Sequence, residues 1–425
     1  MSFAQSHPAR DDAARALPWI ALVLGAVAIA GAYYAYDAIA PVADLLRRER
    51  GFTQAQIGLL NAVFSLPNIP LSLVAGVLID RVGAARVALW TAGLCLVGAA
   101  LTAWGEPFAV MVTGRLIFGI GEETLLIALL AALALWFDGG RAALAMSLLF
   151  SMARIGSYSA DISTNWAAGL YAAGWRPPLE LAAGLCAVGL VAAWGLDWID
   201  GQRPRRAAEA VRERFDLAAL RRFDASFWWI LWLNVLFASA FFPFRSTFAI
   251  VYFQDAKHLT LAQAGLINSL VFGAAIFATP IIGAVADRVG HRAALLCFGA
   301  ALMPVNFAWL ALSPSGEGYS TALMGISFSV IPAVIWPATA MLVPRARLGT
   351  AFGLINVLQS LGMAASNWAA GALNDRYGAG PAHPEGYLPM LALFFGIGLA
   401  GFLATAMLWW RERGPHGHGL ERAAP

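Results

Sequence analysis

A run of about 20 apolar residues can cross the hydrocarbon core of a bilayer as a helix, and in this chain such runs follow one another from end to end. They lie near 17–43, 55–79, 87–104, 108–136, 142–170 and 178–199, then near 227–253, 263–285, 293–312, 319–343, 350–373 and 387–410. In lipid every backbone polar group has to be satisfied internally, so runs of this length read as helices. The expectation is an all-α membrane protein with twelve transmembrane helices. Charged residues are 12 % of the chain, against roughly 25 % in soluble domains. A net charge of +3 gives no reason to expect a nucleic-acid partner; the expected partners are the bilayer and a small solute. The first run lacks an A-x-A cleavage pattern and reads as a spanning helix, not a removed signal peptide.

One long hydrophilic stretch interrupts the series. It holds Arg203, Arg205, Arg206, Arg212, Arg214, Arg221 and Arg222. The chain therefore divides into a six-helix bundle (1–199), a basic linker (200–226), a second bundle (227–411) and a tail (412–425). Arg residues are concentrated in the loops on the side of the termini, which predicts that both termini are cytoplasmic. The Arg- and Ala-rich composition suggests a bacterial inner membrane. Trp19, Trp198, Trp228, Trp229, Trp409 and Trp410 stand at span ends, where an interfacial aromatic belt would put them.

The two bundles echo each other. Thr53, Ala55, Gln56, Gly58, Leu59 and Asn61 match Thr260, Ala262, Gln263, Gly265, Leu266 and Asn268 without gaps. Asn165 to Gly169 and Asn367 to Gly371 are both Asn-Trp-Ala-Ala-Gly. The first echo falls in spans 2 and 8 and the second in spans 5 and 11, the register of two halves related by an axis along the membrane normal.

The first echo ends in Gly76-x-x-x-Asp80-Arg81-x-Gly83-x-x-Arg86 and Gly283-x-x-x-Asp287-Arg288-x-Gly290-His291-Arg292. Here the chain resembles the major facilitator superfamily, whose signature is a Gly-Asp-Arg-Gly-Arg loop after the second helix of a half. The glycine is expected to let two helices approach closely. The resemblance implies alternating access and a gate built on Asp80, Arg81, Gly83, Asp287, Arg288 and Gly290, with Arg141 and Arg345 or Arg347 as partners.

Ionised groups within hydrocarbon cost about 2.5–3.5 kcal/mol on insertion scales and usually line a cavity or pair with one another. The candidates are Asp37, Arg115, Glu122, Glu123, Arg154, Asp161 and Arg245. At a rise of about 1.5 Å per residue, Glu122, Glu123 and Arg154 fall near mid-depth, and Asp37, Arg115, Asp161 and Arg245 fall together nearer the outer face. Arg154, Tyr158 and Asp161 are spaced to share one helix face. The repeat offset sets Arg245 opposite Asp37. Two readings stand side by side: fixed ion pairs (Glu123–Arg154, Arg115–Asp161, Asp37–Arg245) or a polar site of both signs. In the second, Arg takes a carboxylate through two parallel bonds, and Glu takes an ammonium group or a proton.

Further stretches resemble one branch more tightly: the lysosomal dipeptide transporter family (major facilitator superfamily domain-containing protein 1) and its bacterial relatives. They are Tyr34-Ala35-Tyr36-Asp37, Gly114 to Gly121, Ser151-Met152-Ala153-Arg154-Ile155-Gly156-Ser157, Phe242-Pro243-Phe244, Ile267-Asn268-Ser269, Trp336-Pro337 and Leu348 to Gly353. The resemblance implies dipeptides or related zwitterions as cargo, with Glu123 and Arg154 as the binding pair and Tyr36 and Trp336 nearby. The chain departs from the pattern at Glu122, where the eukaryotic sequences have Gly. It also lacks a lysine expected in span 7, where Ile250 and Val251 stand.

The expected function is a secondary transporter of small zwitterionic or anionic solutes. One alternative is a proton-coupled carrier of organic anions or monocarboxylates, with Glu122 or Asp37 as the proton site. Another is a non-transporting receptor or scaffold. No nucleophile constellation, phosphate loop or metal cluster is seen in the sequence, and Cys95, Cys186 and Cys297 stand apart in apolar runs, so no enzyme activity and no cofactor are expected. The chain is expected to be a monomer. His416-Gly417-His418 reads as disordered tail.

Overall fold

The computed structural model describes residues 8–137, 140–202, 223–344, 347–415 and 417–422. The first half comprises α1 (Pro8–Asp37), α2 (Ile39–Arg50), α3 (Gln54–Ser65), α4 (Asn68–Val82), α5 (Ala84–Trp104), α6 (Phe108–Trp136), α7 (Gly140–Trp166), α8 (Ala168–Ala172) and α9 (Arg176–Asp200). The second comprises α10 (Ala225–Pro243), a π-turn (Phe244–Phe248), α11 (Ala249–Lys257), α12 (Leu261–Val289), α13 (Arg292–Leu312), α14 (Glu317–Leu342), α15 (Leu348–Arg376), a short 3₁₀ turn (Pro384–Tyr387) and α16 (Leu388–Glu412). The expected all-α membrane architecture is the one observed. Ten helices among the described residues are long and apolar enough to cross a membrane. The α3–α4 pair and the serine-rich α7 occupy the other two expected spans.

Several irregularities have local causes. Pro41 cannot return a hydrogen bond to Asp37, and the first span steps at Ala38 before continuing as α2 to Arg50, beyond the expected end at 43. Gly51, at φ 65°, stops it. Pro67 divides α3 from α4. The echo at Thr53 and Thr260 has a plain physical basis. Each hydroxyl caps the backbone N–H of Gln56 or Gln263, and each Gln side chain bonds back to the threonine N–H, giving one capping box per half.

Two apolar cores form, one from residues between Ala21 and Ile199 and the other from residues between Phe223 and Leu420 joined by Ala40. The halves are tied together at the end remote from the termini. Arg47 Nη1 meets Asp255 Oδ2 at 2.7 Å, and the Tyr387 hydroxyl donates to the same oxygen at 2.6 Å. Asp375 accepts from the N–H groups of Gln54 and Ala55 at 2.8 and 2.7 Å, capping α3 from the other half. At the terminal end the ion pairs of the described residues stay within one half: Arg86–Asp197 at 3.1 Å and Arg411–Asp224 at 2.8 Å. The polar contacts between the halves therefore lie, among the described residues, at the far end and in the interior and not at the terminal end.

Two expectations need correction. Described tail residues are docked, not loose. Leu420 is fully buried, and its carbonyl accepts from Arg292 N at 2.8 Å. Glu412 accepts from Ser226 Oγ at 2.9 Å and His418 N at 2.7 Å, so the tail closes over the ends of α10, α13 and α16. His416 lies outside the described residues. Gly76 and Gly283 are not points of close approach either, because a Cβ on either would meet nothing within 4 Å.

Candidate functional site

Three ionised side chains meet across the halves. The π-turn that follows Pro243 contains Arg245. Its guanidinium reaches into the first half, pairing with Asp37 Oδ1 at 2.6 Å and with Asp161 Oδ2. Asn268 of α12 donates to the other Asp161 oxygen at 3.0 Å and to the Arg245 carbonyl at 3.2 Å. Arg245 and Asp161 are 0 % exposed and Asp37 is 1 % exposed. Arg245 also lies 3.9 Å from the Phe272 ring centroid, a cation–π contact.

Arg115 does not join this group. It serves the break in the first span, donating to the Ala35 and Tyr36 carbonyls at 3.2 Å each. It also donates to Asn61 Oδ1 at 2.6 Å. Asn61 in turn donates to the Ser246 carbonyl at 3.0 Å and to Thr247 Oγ1 at 2.7 Å. Thr247 donates to Asn367 at 2.7 Å. The pairing considered for Arg115 with Asp161 is therefore not formed: Arg245 occupies Asp161, and backbone carbonyls of α1 occupy Arg115. Tyr36 packs on Phe64 at 4.6 Å. Asn61, Thr247, Asn268 and Asn367 were missed as site residues, although three of them are repeat residues, polar and within apolar runs.

Arg154 stands apart from both networks. Its guanidinium lies over Tyr33 of α1, Phe272 of α12 and Phe328 of α14, at 5.5, 5.0 and 4.9 Å from the ring centroids. It therefore sits where the halves meet. The Glu123–Arg154 ion pair, one of the two readings of these residues, is not formed, and Arg154 has no ion pair among the described residues. Tyr158, one turn on, packs against Gly273 of the other half, 3.2 Å from where a Cβ would stand. Glu122 is buried. Glu123, with Asn68 and Thr124, lines a cavity of about 50 Å³ closed from the other half by Asn356, Gln359 and Ser360. The arrangement offers, among the described residues, a cation without an ion pair where the halves meet and a carboxylate, Glu123, lining a cavity between them. Trp336 is not part of it; it is 36 % exposed and packs edge-on against Phe352 at 5.4 Å.

The gate candidates lie at the terminal end. Asp80, Arg81, Gly83, Arg141 and Arg288 are exposed, and Gly290 is buried. The side chain of Asp287 and all of Arg345 lie outside the described residues.

A sequence model of the Major Facilitator Superfamily matches residues 25–366 and 247–424. The chain belongs to that superfamily. Members are transporters, so this facilitator is a multi-pass membrane transporter and not an enzyme. It is 29 % identical to the lysosomal dipeptide transporter MFSD1 of Danio rerio over 394 residues, covering 89 % of this chain and 84 % of that one. In fold it is similar to a mutant of the nucleoside transporter NupG, with a TM-score of 0.75 at 14 % identity, covering 92 % of this chain and 99 % of that one. It is also similar to a bacterial homologue of the human lysosomal transporter Spinster in an inward-facing, unoccupied conformation, with a TM-score of 0.72 at 15 % identity, covering 93 % of this chain and 97 % of that one.

Proposed function

We propose that this facilitator moves small zwitterionic solutes, dipeptides among them, by alternating access across a bacterial inner membrane, with both termini in the cytoplasm and the chain acting as a monomer. Its bundles, 1–199 and 227–411, rock about the Arg245 group. The observation that carries this reading is Arg154, a guanidinium held among three aromatic rings at the meeting of the halves, with no ion pair among the described residues. A charge kept there needs a partner, and a substrate carboxylate supplies one in bidentate fashion. Glu123 and Glu122 receive the cationic end, and Tyr158 lines the path. The similarity to a dipeptide transporter supports the choice of cargo. Asp80, Arg81, Gly83 and Arg141, with Asp287, Arg288 and Gly290, close the terminal end when the far end opens.

Uptake of L-alanyl-L-alanine into proteoliposomes tests the reading. Saturable uptake that Arg154→Lys reduces at least tenfold is expected, because an ammonium group cannot reproduce the planar fork. Undiminished uptake by that variant would overturn it. A second reading, a proton-coupled carrier of organic anions or monocarboxylates, draws on the adjacency of Glu122 and Glu123, which places two carboxyl groups where one proton can be held. Uptake of an anion that accelerates with an imposed pH gradient favours it.

A further inference from the structure

Among the described residues, two that are not glycine take the left-handed backbone conformation, His258 at φ 56° and His291 at φ 49°. His258 ends α11, a place where that conformation is ordinary. His291 opens α13, where the preceding residue normally stays extended and caps the helix with its own side chain. The His291 side chain caps nothing in α13. The cap comes from the tail instead. The Leu420 carbonyl accepts from Arg292 N at 2.8 Å, and Glu421 Oε1 accepts from Ala294 N at 3.0 Å. Glu421 Oε2 lies 3.1 Å from His291 Nδ1, which fastens the left-handed residue itself.

The tail is in turn held down on the same half. Leu420 belongs to the second apolar core, and His418 N donates to Glu412 at 2.7 Å. Gly417 lies so close to the end of α16 that a Cβ there would collide with the Glu412 carbonyl. The equivalent loop of the first half is treated differently. Gly83, the repeat counterpart of Gly290, precedes α5 with no side-chain cap, and it is exposed where Gly290 is buried.

We infer that the tail is a strap that pre-sets the second signature loop, with Leu420 and Glu421 as positioning residues that fix Gly290 to Arg292 before the terminal end closes. The inference rests on the gate reading of Arg288 and Gly290 and adds what regulates that gate. A loop ordered only on docking spends part of the contact on its own lost freedom. The tail orders the second loop in advance. Every strap contact named here lies within the second half, so the strap stays docked while the halves rock. The second loop is thereby the rigid member of the gate pair.

The test uses the full chain in lipid nanodiscs, with Leu420→Asp, Glu421→Ala and the conservative Leu420→Met. Hydrogen exchange at the Arg292 and Ala294 amides reads the strap. Spin labels on Leu144→Cys and Met341→Cys, exposed near the terminal ends of α7 and α14, read closure without any cargo; the native cysteines are buried. In Leu420→Asp and Glu421→Ala, exchange at those amides should quicken at least tenfold. The population with the shorter label spacing should fall roughly tenfold, the effect of ordering about one further residue. Leu420→Met should match the wild type in both. Glu421→Ala removes no core contact, so it reports even where Leu420→Asp fails to fold. Faster exchange with unaltered spacings would overturn the inference, since the tail would then fasten the bundle only; unaltered exchange would overturn it too. A wild type that never shows the shorter spacing would remove the gate reading and the strap together.

Discussion

Two crossings join the halves, α3 with α15 and α7 with α12, and they are built from the same repeat residues. In each, a Thr-Gln box caps the entering helix. A glycine then admits the partner: a Cβ on Gly58 would collide with the Asn367 carbonyl, and one on Gly265 with Asp161 and Thr164. An asparagine one turn further on, Asn61 or Asn268, holds the contact. The backbones match, but the chemistry does not. Asn61 engages a carbonyl and a hydroxyl, whereas Asn268 engages the carboxylate of an ion-paired Asp161. The repeat sets how the helices approach, and departures from it set what separation costs. Parting α3 from α15 exchanges for water the Asp375 carboxylate caps on the Gln54 and Ala55 N–H groups and neutral hydrogen bonds, but breaks no ion pair between these two helices among the described residues. Parting α7 from α12 also requires that Asp161, Asp37 and Arg245 be hydrated or find new partners.

Removing the shared cation should have the largest effect. Arg245→Met strands two buried carboxylates at a cost of about 3–5 kcal/mol, read as a fall in melting temperature and in monodisperse yield. Adding Asp37→Asn and Asp161→Asn to that variant should recover much of the loss; no recovery would mean that the guanidinium matters for its packing and not its charge. Next, Gly58→Leu and Gly265→Leu should overpack both crossings by about 1–3 kcal/mol, lowering uptake to a similar degree if the packing is equivalent. A loss confined to Gly265→Leu would show that only the charged crossing moves during transport. Asn268→Leu should then cost about 1.5–3 kcal/mol, as a bond to a charged group does, and Thr247→Val about 1 kcal/mol, as a neutral one does; equal melting temperatures would erase the distinction.

The smallest effect belongs to the terminal end. Partial burial alone would raise the Asp224 carboxyl, but the Ser226 N–H, Arg411 and His418 outweigh it and hold the carboxyl below its ordinary value. The stabilisation is therefore present at neutral pH and is lost as pH falls through and below the usual carboxylate range. Screening at this half-exposed position keeps it under about 1 kcal/mol. Asp224→Asn should flatten the acid limb of the melting curve slightly and leave the Arg245 group untouched.

The span count, the two-half repeat and the facing of Asp37 and Arg245 could be read from the residues, because apolar length and repeat offset fix depth and register. The allotment of partners could not. Arg115 and Arg245 look alike in a string. Which one meets Asp161 depends on the α1 carbonyls that hold Arg115 and on a π-turn that turns Arg245 inward. The tail was misjudged because its anchors, Arg292 and Glu412, are brought together only by the packing of α13 on α16.

The wide turn at Phe244–Phe248 carries one residue more than an α-helical ladder would accommodate. Such a surplus can slide along a helix by exchanging one hydrogen bond at a time, each shift turning the residue it passes by about 100° of helical rotation. Arg245 sits on that defect. The surplus residue is what aims Arg245 at Asp37 and Asp161, so deleting one residue of the turn should rotate the guanidinium off both carboxylates, read as a fall in melting temperature.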